Sequence, residues 1–120
     1  MSQTLHGRLV DAAGAQTMAH YAQLGEHLGL DMSNTDDRIR IGAMLDEIDF
    51  LEHNAGRPLL SAVVVHAQDG LPGTGFFDCA RKLGLLKAGK RQEELEFFVS
   101  ELRRVQAYWG STNSGRAAAL

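Results

Sequence analysis

The segment LLSAVVVHA, residues 59–67, holds three consecutive valines, and its reading decides the fold. β-Branched side chains are stiff about χ1 and pack well on a pleated surface, so the run predicts a strand that is buried on both faces or central in a small sheet. A lone strand leaves its backbone N–H and C=O groups without partners, so another segment must pair with it. GAQTMAH, residues 14–20, and part of the glycine loop after the valines are the available candidates.

Upstream of the valines the pattern is helical. In DMSNTDDRIRIGAMLDEIDFLEHNAGRP, residues 31–58, Asn34 or Thr35 can cap a helix whose first turn carries Asp36 and Asp37, where the helix dipole favours negative charge. Ile41, Met44, Leu45, Ile48, Leu51 and Ala55 then recur at helical spacing as the expected buried stripe. Gly56 ends this helix and Pro58 prevents its continuation. Before it, Tyr21, Leu24 and Leu28 form the stripe of a shorter helix stopped by Gly29, and Leu5, Leu9 and Val10 suggest another that breaks near Gly14.

Downstream comes DGLPGTGFFDCARKLG, residues 69–84. Its glycines permit a tight backbone path, and Phe76, Cys79, Ala80 and Leu83 share one face of a helix that starts near Gly75 and ends at Gly84. A last helix over about residues 90–109 carries Leu95, Phe98, Val99, Leu102, Val105 and Trp109 in register. The remaining GSTNSGRAAAL, residues 110–120, is small and polar and reads as a frayed tail, and its final AAAL has the look of an expression-vector remnant. The expected fold is therefore α+β and mostly helical. It is a winged-helix-like helix-turn-helix with a minimal sheet around residues 59–66 and two C-terminal helices, in one domain spanning residues 1–109.

Bulk properties narrow the function classes. With 120 residues there is room for one core, and 44% apolar with 22% charged residues is ordinary for a soluble chain. No apolar run approaches the roughly 18–20 residues of a membrane helix, and the N-terminus lacks a signal-peptide layout. The single cysteine, Cys79, excludes an internal disulfide and fits a reducing, cytoplasmic setting.

Two resemblances can be drawn. Thr17 and Tyr21, then Gly29, then RIRIGAMLDEI and AVVVHAQDG, together spanning about residues 15–75, resemble the DNA-binding half of alkyltransferase-like proteins. That likeness implies a winged helix. The family's proline-cysteine-histidine-arginine acceptor motif is absent, and Arg38 and Arg40 are out of step with its arginine. GRPLLSAVVV followed by GLPGTGFFDCARKLG is similar to small bacterial proteins, some of them linked to phage or defence loci, which implies lineage, with a mobile-element or defence setting, rather than a mechanism.

No catalytic constellation is expected. The glycine loop lacks the lysine and hydroxyl residue of a P-loop, since Phe76 and Phe77 follow Gly75, so it reads as a structural turn. Cys79 lies on an apolar stripe, where a thiol is inert. His20 and His27 stand seven residues apart without a metal-ligand pattern, so neither metal nor cofactor is expected.

Charge is more informative. Residues 31–56 hold seven acids against two arginines, whereas residues 81–91 hold Arg81, Lys82, Lys87, Lys90 and Arg91 and no acid. So acidic a helix would be repelled from a major groove, because phosphate neutralisation dominates nucleic-acid affinity. The expectation is a non-enzymatic interaction protein that docks a protein partner, or a second copy of itself, through Asp46, Glu47 and Asp49. The alternative is a winged helix binding nucleic acid through residues 81–91.

Overall fold

A computed structural model describes residues 4–87 and 89–119, with residues 111–119 described as backbone. Five helices and two very short strands follow in the order α1 (Leu5–Gly14), β1 (Ala19–His20), α2 (Tyr21–Leu28), α3 (Thr35–Asn54), β2 (Val64–Val65), α4 (Thr74–Lys82) and α5 (Arg91–Ala119). The chain is thus α+β and mostly helical.

Local chemistry sets the helix boundaries. Thr4 Oγ1 accepts from the Gly7 amide and starts α1, and Asn34 Oδ1 accepts from the Asp37 amide and starts α3. Gly29 closes α2 at φ 73°, a left-handed conformation that a side chain resists. The backbone of α5 runs on to Ala119, where the sequence suggested a frayed tail from residue 110.

The valine run differs from expectation. Leu60–Val63 form a 3-10 turn, and only Val64 and Val65 are extended. They pair in parallel with the segment 14–20, through Ala19 opposite Val64 and His20 opposite Val65. Val63, Val64 and Val65 are fully buried, as expected, with one short strand beside Val64 and Val65 and helices packed on the turn that precedes them. The turn is the hub of the molecule, since α1, α3 and α5 all pack on it.

A tightly turned backbone inside a core must place its polar groups, and here acidic side chains receive them. Ser61 donates to Asp49 on α3 through both its amide (3.0 Å) and its hydroxyl (2.5 Å). The Leu59 amide donates to Glu101 on α5 at 2.7 Å. Glu52 on α3 is held by the Arg57 guanidinium and lies 2.8 Å from His6 Nε2, which ties α1 to the same point. All three carboxylates are buried.

The glycine loop is a structural turn. His66 and Leu71 close it by a backbone bond, and the Gly70 amide donates to the His66 carbonyl. The Gly73 amide donates to the Tyr21 hydroxyl, and a Cβ there would stand 3.2 Å from that oxygen. The loop delivers Phe76 and Phe77 into the core, where Phe76 meets the rings of Phe97 and Phe98.

Asp49 has no ion-pair partner among the described residues. Burial, only partly offset by the Ser61 hydrogen bonds, pushes its carboxyl up to about 7. The folded state therefore holds a proton that the unfolded chain releases near pH 4, so stability falls as pH rises from about 4 to 7. Urea unfolding should accordingly find the protein about 1–3 kcal/mol more stable at pH 5.5 than at pH 8. Asp49→Asn, which keeps the acceptor for the Ser61 amide and gains a donor for its hydroxyl, should abolish that difference.

Candidate interaction surface

Helix α3 is inverted relative to its hydropathy. It buries Asp49 and Glu52, each 1% exposed, along with Ile41 and Leu45, while Ile39 (65%), Leu51 (60%), Phe50 (38%) and Met44 (36%) face solvent. Three members of the expected buried stripe, Met44, Leu51 and Ala55, thus lie outside the core. The reason is packing. The 3-10 turn offers N–H and O–H donors at the places where Asp49 and Glu101 reach, so the inward face of α3 carries acceptors.

The predicted acidic docking set is therefore dispersed. Asp49 is in the core, bound to Ser61. Asp46 is half-buried beside Cys79, whose thiol donates to it; burial raises the Asp46 carboxyl, with Lys82 and that hydrogen bond opposing. Glu47 alone of the three is exposed. Cys79 is buried as expected, and desolvation, reinforced by Asp49 and Asp46, pushes its thiol up to about 12.

The basic segment is also partly spent. Arg81 and Arg91 converge on Glu94, at 2.7 and 3.1 Å, and hold its carboxyl below the usual range. The Arg91 guanidinium lies 5.4 Å from the centre of the Phe77 ring. Lys82, Lys87 and Lys90 are exposed, with no ion pair among the described residues.

Beside the exposed face of α3 lies an open cleft of about 630 Å³. Met32, Ile39 and Ile41 form an apolar wall, and Tyr21, stacked on His66 at 4.6 Å, forms another side. The Tyr21 hydroxyl is raised above its ordinary value by burial, although the Gly73 amide that it accepts from opposes this. Ile39 belongs both to the cleft and to the exposed face, so the two are continuous. Among the described residues no cluster of histidine, cysteine or acidic side chains could hold a metal ion, and no helix is long and apolar enough to cross a membrane.

This surface escaped sequence reasoning because Met44 and Leu51 fit the helical stripe as well as the truly buried residues do. The missed signal is that Asp49 and Glu52 continue the spacing of Ile41 and Leu45. Compared with family models, curated proteins and solved structures, the chain matches none.

Exposure makes a direct prediction. Leu45→Ala should cost about 2–4 kcal/mol in urea unfolding, whereas Leu51→Ala should change stability by less than about 0.5 kcal/mol. Equal losses at the two positions would place Leu51 in the core.

Proposed function

We propose that this protein is a macromolecular interaction module that docks a protein partner through the exposed face of α3. The observation that carries the reading is the inversion of that helix. Four large apolar side chains occupy its solvent side while two acids are buried beneath. Four large apolar side chains gathered on one helix face support an interaction site, where a single exposed hydrophobe would not. The adjoining cleft can accept an anchoring side chain, the arrangement in which a few contacts dominate binding energy.

The reading relocates the docking surface. The contact rests on Ile39, Met44, Phe50 and Leu51, and Glu47 remains of the acidic set as a charge at its centre. Binding of nucleic acid through residues 81–91 is less well supported, since Arg81 and Arg91 are committed to Glu94. The winged-helix reading would also call for an antiparallel hairpin, and the pairing among the described residues is parallel and two residues long. A reducing, cytoplasmic compartment suits the unpaired Cys79, and the mobile-element or defence setting rests on resemblance alone.

Affinity capture from nuclease-treated extract, with captured proteins identified by mass spectrometry, tests the proposal. A specific partner should be retained by the wild type and by Lys87→Ala/Lys90→Ala, and lost with Ile39→Ser/Leu51→Ser. Capture indifferent to the α3 changes, or dependent on nucleic acid, would sink it.

A further inference from the structure

The α3 face carries three exposed charges as well as its hydrophobes: Asp36, one turn before Arg40, and then Arg40 and Glu47. Arg40 and Glu47 are both exposed, and neither has an ion-pair partner among the described residues. They stand seven residues apart, two helical turns or about 10.5 Å along one face. That separation is too long for them to pair within the helix, where neighbours lie three or four residues apart. Ala43 sits between them and is also exposed.

An opposite pair flanking a small residue is self-complementary under two-fold symmetry. If two copies of α3 cross antiparallel with the axis near residues 43 and 44, Arg40 of each copy stands beside Glu47 of the other, twice. The same operation is isologous, so one patch suffices for both partners. Ala43 at the crossing permits close approach of the two backbones. In that register Met44 is covered at the crossing against Ala43 and Ile39 lies opposite Ile48, while Phe50 and Leu51 come opposite the first turn of the other copy's α3.

We infer that the partner docked on α3 is a second copy of this chain, packed antiparallel about a two-fold axis and registered by reciprocal Arg40–Glu47 pairs. The inference rests on the docking role of α3 proposed above and adds the identity and register of the occupant. A single helix pair lies at the small end of specific interfaces, so the dimer should form with a Kd of about 1–100 µM. It should also weaken with salt, as paired exposed charges do.

Sedimentation equilibrium from about 1 to 500 µM, spanning the affinity expected for so small an interface, is the test. The wild type should pass from monomer to dimer over this range. Arg40→Glu and Glu47→Arg, each of which sets like charges together twice, should each raise the Kd about tenfold or more, and the double variant should restore it to within about threefold. All these positions are exposed, so circular dichroism should show each variant folded. A monomer throughout, or single swaps without effect, or a double swap without rescue, overturns the inference. If the wild type stays monomeric while Ile39→Ser/Leu51→Ser still loses a captured protein, self-association falls and docking through α3 stands. If capture is also indifferent to that face, both fall.

Discussion

Everything in this molecule depends on how the backbone of residues 57–61 is held inside the core. A strand in a full sheet would satisfy its amides along a ladder, but only two residues here reach one. Carboxylates from α3 and α5 substitute for the missing strand. They also lock the order of packing, because each reaches the turn from a different direction and ties a separate helix to it.

The three acids meet the cost of burial in three ways. Burial alone would raise Glu52, but hydrogen bonds from Arg57 and His6 outweigh it and hold the carboxyl below its usual value. Glu101 takes the Leu59 amide inward and Arg104 at its outer edge. Asp49 has only the two Ser61 donors and is the one that takes up a proton near neutrality. Removing a partner from any of them leaves a buried polar group unsatisfied, which costs more than the bond itself contributes.

How far the sequence discloses this fold follows from which interactions are local. The Asn34 cap, the glycine stop at Gly29 and the turn before Phe76 are written in nearby residues, and each could be read directly. That the valines need a partner was also legible, and the structure selects residues 14–20 from the two candidates the sequence left open. The 3-10 turn at Leu60–Val63 was hidden, since valine propensity says nothing of which donors lie forty residues away on α5. The same long-range bonds turn α3 over, placing Asp49 where an apolar residue belongs and Leu51 where water is. Charge distribution pointed to Asp46, Glu47 and Asp49 together, and for the same reason only Glu47 of the three reaches solvent fully.

The position of Glu101 bears on how the protein is made. The turn at its centre is translated well before the helix that completes it, and α1, the first helix, packs chiefly against α5, the last. A nascent chain that has emerged only as far as α4 lacks the Glu101 acceptor for the Leu59 amide and the larger part of the packing of α1, which then rests mainly on the 3-10 turn. Completion of the core during synthesis must therefore wait for α5, and until then the side of the turn that α5 covers stays open to whatever first binds it at the ribosome.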